Sequence, residues 1–131
     1  MGFPKNFVWG VASSSYQVEG AWNRDGKGLS VWDTYVHEPG HIQNQDTGDT
    51  ACDQYGHIKE DIALMAEMQI KAYRFSISWP RVMPEGTGRV NEKAVALYRD
   101  MILEMKKNGI EPYMTLYHWE LPQALEDKGG W

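Results

Sequence analysis

An α/β fold with parallel strands is the architecture that this 131-residue sequence predicts. Apolar runs of strand character alternate along the chain with stretches of helical period, in the order strand, loop, helix, strand, helix, strand, start of helix. Alternation of this kind means parallel strands joined by right-handed helical crossovers. The pattern is also unfinished, because three parallel strands keep two open edges and the last helix is barely begun.

The first strand is expected over residues 7–12, where Phe7-Val8-Trp9-Gly10-Val11-Ala12 forms a short apolar run bounded by Pro4 and by Ser13-Ser14-Ser15, as in a buried strand. A Gly-, Asp- and Asn-rich stretch from 20 to about 53 follows, with an apolar patch at Val31, Trp32, Tyr35 and Val36. It reads as a long loop carrying short helices, and its aromatic residues favour function over disorder. Over 53–68, Ile58, Ile62 and Met65 recur at the spacing of an amphipathic helix. Residues 71–78 then alternate, with Tyr73, Phe75 and Ile77 on one face and Arg74, Ser76 and Ser78 on the other, which is the period of a strand. After Pro80 and the Pro84-Glu85-Gly86 turn, Asn91 stands as an N-cap before the stripe Ala94, Leu97, Tyr98, Met101, Ile102 and Met105, and Asn108-Gly109 closes that helix. Pro112 opens a third strand over 113–118, and Pro122 stands where the first turn of another helix begins.

Composition bounds the class of protein. Hydrophobic residues at 42% and charged residues at 24% suit one globular domain and no more. No apolar run approaches the roughly 18 residues of a membrane span, and the opening residues carry no basic-then-apolar leader, so the expectation is a cytoplasmic protein without a membrane partner. The single Cys52 can form neither an intrachain disulfide nor a CxxC site. A net charge of −5 without a basic stripe argues against nucleic acid. Six Trp and seven Tyr stand out; flat apolar rings with polar tips suit a large core or a ligand such as a sugar, and composition alone favours the core.

Two motif matches fail on mechanism. His37-Glu38-Pro39-Gly40-His41 has the letters of a zinc-binding HExxH, but that motif needs both histidines on one continuous helix, and Pro-Gly breaks it. The stretch from Gly20 through Gly26-Lys27 resembles a phosphate loop, but its spacing is one residue too long and Gly28 replaces the magnesium-binding hydroxyl. Arg74 is harder to dismiss. If helices cover the apolar face of its strand, Arg74 points inward, and a buried guanidinium needs a carboxylate partner, whether its role is structural or functional. His118-Trp119 lies at the carboxyl end of the third strand and Tyr16-Gln17 just beyond the first, the edge that carries ligands in parallel α/β folds, although His118 taken alone reads better as a structural histidine.

At these residues the chain resembles glycoside hydrolase family 1, the retaining β-glucosidases and their relatives. The resemblance rests on Phe7-Val8-Trp9-Gly10-Val11-Ala12-Ser13-Ser14-Ser15-Tyr16-Gln17-Val18-Glu19-Gly20, on Tyr73-Arg74-Phe75-Ser76-Ile77-Ser78-Trp79-Pro80-Arg81, and on Thr115-Leu116-Tyr117-His118-Trp119-Glu120-Leu121-Pro122. One letter departs: Glu120 stands where Asp is usual, a same-charge change expected to leave the site undisturbed. The resemblance implies an incomplete TIM (β/α)8 barrel, with residues 1–131 holding the first three β/α units as the N-terminal part of a single barrel domain and no second domain.

By the same resemblance, Gln17 and His118 hydrogen-bond sugar hydroxyls where the glycosidic bond breaks, Trp119 lines that subsite, and Arg74 holds the nucleophile carboxylate in its ionised form. Retaining hydrolysis needs two carboxylates about 5–5.5 Å apart. In the family they stand in Asn-Glu-Pro and Thr-Glu-Asn-Gly motifs, neither of which occurs here. The implied function is therefore an N-terminal fragment of a β-glucosidase, an enzyme hydrolysing terminal non-reducing β-D-glucosyl O-linkages, inactive alone and needing no cofactor or metal. The alternative is a non-catalytic sugar-binding or assembly module derived from the same barrel. Its partners are a β-glucoside or related sugar, and either the remaining barrel or further copies of the chain joined through the open strand edges.

Overall fold

The computed structural model describes residues 2–131. In chain order its elements are β1 (Gly10–Ala12), α1 (Ser15–Val18), α2 (Val31–His37), a 3₁₀ turn (Gln43–Gln45), α3 (Gln54–Glu67), β2 (Ala72–Ser76), α4 (Trp79–Val82), α5 (Glu92–Lys107), β3 (Glu111–Thr115) and α6 (Gln123–Glu126). The strands form one parallel sheet in the order β1-β2-β3. Its register pairs Gly10 with Ala72 and Ala12 with Arg74, then Ala72 with Glu111 and Ser76 with Thr115.

The alternation of β2 decides where the core lies. Tyr73 and Phe75 point to the helix-covered side, where they join Ile62 of α3, Tyr98, Met101 and Met105 of α5, and Ile110 in one buried cluster. The predicted stripe on α5 is the buried one: Ala94, Tyr98, Met101 and Met105 lie inside. This helix ends as expected, since Gly109 takes φ 70° and the amide of Ile110 returns to the carbonyl of Met105. Asn91 does occupy the N-cap position, but its side chain donates to the carbonyls of Asp25 and Arg81 instead of capping.

The edge strands depart from expectation. The first is regular only over Gly10–Ala12, and Phe7, Val8 and Trp9 are 43%, 60% and 54% exposed, so the run is not a buried strand. The cause is one-sided pairing: among the described residues β1 has β2 as its only neighbour, and the rings of Phe3, Phe7 and Trp9 gather on one another instead, with centroids 4.4–4.8 Å apart. The third strand begins before Pro112 and stops at Thr115 because β2 itself stops at Ser76, which leaves Leu116, Tyr117 and His118 in the following turn. Pro112 is tolerated there because an edge strand can spare a ladder donor. The one-turn helices α1 and α4 were not legible in the sequence, being too short to show an amphipathic period.

Phe75→Ala is expected to destabilise the fold by about 3–5 kcal/mol, because the cavity opens in the centre of the cluster, whereas Leu116→Ala at an exposed position changes stability by less than about 0.5 kcal/mol. Urea unfolding followed by tyrosine and tryptophan fluorescence checks both.

Candidate functional site

The predicted site residues gather at the carboxyl ends of the three strands. Arg74 lies on β2 facing away from the helices, Gln17 on α1 directly after β1, and His118 and Trp119 in the turn after β3. Arg74 and His118 meet, with Nη2 3.5 Å from Nδ1. Gln17 is exposed, and among the described residues no hydrogen bond reaches its side-chain amide. Trp119 is 69% exposed and its backbone sits at φ 70°. For a large side chain that left-handed conformation costs about 1–3 kcal/mol and persists only where the surroundings impose it.

Arg74 points to the side away from the helices, as the alternation of its strand implies, and the carboxylate that the family resemblance gives it as partner belongs to a motif that does not occur in this sequence. Arg74 is exposed, and among the described residues no carboxylate bridges it. Helices cover only the other face of β2, so Arg74 faces open space, where a guanidinium is hydrated and needs no ion partner.

The buried arginine is Arg81 on α4, 1% exposed. Its Nε donates to Glu19 Oε2 at 2.9 Å, and its Nη2 donates to the carbonyls of Gly20 and Ala21 at 3.0 and 3.3 Å. Glu19 Oε1 accepts in turn from Tyr98 Oη at 2.5 Å, and Tyr98 Oη accepts from the amide of Ser78 at 2.8 Å. Burial, and then the charge of Glu19, push the Tyr98 hydroxyl well above its ordinary range, so it serves as a fixed donor. Both Glu19 and Arg81 stand inside the quoted motifs, and a carboxylate and an arginine near the ends of two strand-derived motifs were the available signal.

Glu120 is the second residue whose part the sequence understated. It is 2% exposed. Its Oε2 accepts from Ser15 Oγ and from the amide of Tyr16 at 3.2 Å, and its Oε1 accepts from Ser78 Oγ at 3.3 Å. Ser15 is held further by its amide, which donates to Ser76 Oγ at 2.8 Å. Burial, and then the nearby charge of Glu19, push the Glu120 carboxyl up to about 8, while Lys27 and the Ser78 hydrogen bond act in the opposite sense. Below about 8 the Glu120 carboxyl therefore keeps its proton, which Oε1 can share with Ser78 Oγ while Oε2 stays an acceptor for Ser15 and Tyr16.

The two dismissed motifs have structural roles. Lys27 donates to Asp33 Oδ2 at 2.6 Å with both side chains buried, and Asp33 completes a capping box with Ser30 at the start of α2. His37 ends α2 and bonds Asp49 at 2.9 Å, whereas His41 lies beyond the Pro-Gly turn and bonds the carbonyl of Tyr35 at 3.1 Å, so the two imidazoles do not share a helix face.

The raised Glu120 carboxyl sets a pH dependence. A carboxyl that holds its proton more tightly when folded stabilises the fold below its unfolded value near 4.5, and that contribution is lost as pH rises toward about 8. Stability of the chain is therefore expected to fall between those limits. Glu120→Gln removes this part of the slope, so at the upper limit the variant unfolds at higher urea than the unaltered chain.

Comparison with known proteins identifies the arrangement. A family model described as glycosyl hydrolase family 1 matches residues 1–131. β-Glucosidase A of Acetivibrio thermocellus is 57% identical over 129 residues, covering 98% of this chain and 29% of that protein. An aryl-phospho-β-D-glucosidase of Bacillus subtilis is 57% identical over 128 residues, covering 98% and 27%. The solved family 1 β-glucosidase of Thermotoga maritima superposes with a TM-score of 0.96 at 55% identity over 98% of this chain and 29% of that one, and a structure of it in complex with deoxynojirimycin superposes equally well. The chain thus spans under a third of the length of the relatives it matches, and its three β/α units form part of a TIM barrel. Three parallel strands, a polar face at their carboxyl ends and a match along the whole sequence together place this chain in glycosyl hydrolase family 1.

Proposed function

We propose that residues 1–131 belong to a single barrel domain of a retaining β-glucosidase, and that they supply its sugar-contacting side while the two reacting carboxylates come from elsewhere in the barrel. The observation that supports this reading best is Arg74: a guanidinium on the barrel side of β2, 3.5 Å from His118 and without a carboxylate bridge among the described residues. A fixed cation at a strand end is suited to orient an anionic nucleophile and keep it ionised. His118 beside it and Gln17 on α1 offer hydrogen-bonding groups for sugar hydroxyls, and Trp119 offers an exposed flat face for the apolar side of a pyranose. The substrate class is a terminal non-reducing β-D-glucoside, and the chemistry requires no metal or organic cofactor.

The exposed Phe7, Val8, Trp9, Tyr113 and Leu116 bear on partners. Apolar side chains on open strands are covered in closed barrels by neighbouring strands, and an uncovered face of this kind seeks another chain. The remaining barrel is the occupant that the family architecture provides, and a second copy is the substitute when the chain is alone.

The purified chain is expected to turn over no aryl β-glucoside, since positioning groups without a nucleophile give no glycosyl-enzyme. Turnover that disappears in Glu19→Gln or Glu120→Gln would overturn this. In the enzyme reassembled with the rest of its barrel, Arg74→Ala is expected to lower kcat by about 100-fold or more with little change in KM, whereas a change confined to KM would place Arg74 among the sugar-binding groups. Analytical ultracentrifugation of the chain alone is expected to show association, and a compact monomer at micromolar concentration would contradict it.

A further inference from the structure

The two segments that offer sugar contacts are far apart in sequence, and neither lies within the sheet. Gln17 follows Tyr16 on α1, while His118 and Trp119 occupy a turn beyond the end of β3. The sheet's hydrogen bonds end at Thr115, so strand pairing does not fix the turn. One side chain joins the two segments. Glu120 directly follows Trp119, and its carboxyl is bonded to Ser15 Oγ and Tyr16 N through one oxygen and to Ser78 Oγ through the other. Trp119 itself is held at φ 70°, a conformation that sends Trp119 outward at 69% exposed and turns Glu120 inward at 2%. An aromatic residue stays in that region only if its neighbours hold it there. On the far side the carbonyl of Leu121 accepts from the amide of Val31, and on the near side the anchor is the Glu120 carboxyl.

We propose that Glu120 is a positioning residue for the sugar-contacting face: its buried carboxyl couples the start of α1, and with it Gln17, to the left-handed turn at Trp119 that presents His118 and Trp119. The ligand in this assignment rests on the sugar-site reading above, but the coupling itself is a property of the fold. The carboxyl is pushed up to about 8, mainly by burial, so the clamp works as a neutral acid. A neutral acid keeps an acceptor oxygen for Ser15 and Tyr16, and glutamine matches it in shape and in having one acceptor and one donor group.

The test compares the chain with Glu120→Gln, Glu120→Met and Ser15→Ala at about pH 6, where the acid is neutral. NMR couplings report the Trp119 torsion, amide shifts report both segments, and deoxynojirimycin serves as the sugar probe. Glu120→Gln is expected to keep the positive φ and wild-type signals over residues 15–18. Glu120→Met is expected to lose the positive φ, to shift signals over 15–18 and 118–120 while Tyr73, Phe75 and Met105 stay in place, and to weaken deoxynojirimycin about tenfold. Ser15→Ala, the milder change, is expected to move the signals of His118 and Trp119 from across the chain. A Glu120→Met chain with Trp119 still at positive φ overturns the proposal, as does a Glu120→Gln chain that loses the turn. Should Glu120→Met fail to fold, Ser15→Ala decides: shifts confined to residues near position 15 overturn the coupling. Deoxynojirimycin is titrated into the barrel reassembled with its remaining part; if that unaltered barrel does not bind it, the sugar-site reading fails by itself, and Glu120 is judged on the Trp119 torsion alone.

Discussion

Arg81 and Glu19 meet away from water at 2.9 Å, and the loops at the carboxyl ends of β1 and β2 are built around that ion pair. Removing two charges from water is costly unless every remaining group is bonded, and removing only one partner of such a pair costs about 3–5 kcal/mol. Here most of the remaining groups are bonded, and Nη1 of Arg81 is the buried exception in the pair. Arg81 also holds the carbonyls of Gly20 and Ala21, and Glu19 takes the hydroxyl of Tyr98 from α5, which in turn receives the amide of Ser78. Gly20 is required at this junction: it sits at φ 64°, and a Cβ there would lie 2.1 Å from the carbonyl oxygen of Thr50. The long segment after β1 is thereby pulled against the sheet, with Lys27, Asp33 and the capping box of α2 forming a second buried polar anchor further along it.

This polar layer separates two environments on one strand. Toward α3 and α5, β2 presents Tyr73 and Phe75 to a dry core; on the opposite side it presents Arg74 to open space and Ser76 to the Ser15 and Glu120 cluster. The helix-facing side stabilises the unit, and the other side is free to carry polar groups without the desolvation cost that a core position would impose. In a closed barrel the second side becomes the interior, and it is there that Arg74 and His118 stand side by side.

Much of the fold was legible because its main signals are local. The stripe on α5, its glycine terminus, the alternation of β2 and the order of elements depend on residues within a few turns of one another, and the structure follows them. The limits of β1 and β3 were less legible because a strand extends only as far as its partner: β3 stops where β2 stops, and Trp9 keeps one backbone bond to Lys71 without joining a regular strand. The candidate site was legible as a set of motifs, and Arg74, His118, Trp119 and Gln17 do lie at the same end of the sheet.

The sequence by itself determined the family, the parallel α/β order and which face of β2 is apolar, since each of these follows from residue identity and spacing. Only the tertiary structure decided which arginine is buried and what Glu120 does. Arg74 and Arg81 look alike as letters, and they differ because α4 folds Arg81 under Tyr55, with its guanidinium 4.7 Å from that ring, while no element among the described residues covers Arg74. In the sequence Glu120 is only a same-charge replacement of Asp beside His118 and Trp119, and the contact with Ser15, 105 residues away, is what makes it an anchor. Burial and charge state depend on what long-range packing brings to a side chain, and hydropathy or spacing along the chain does not record that.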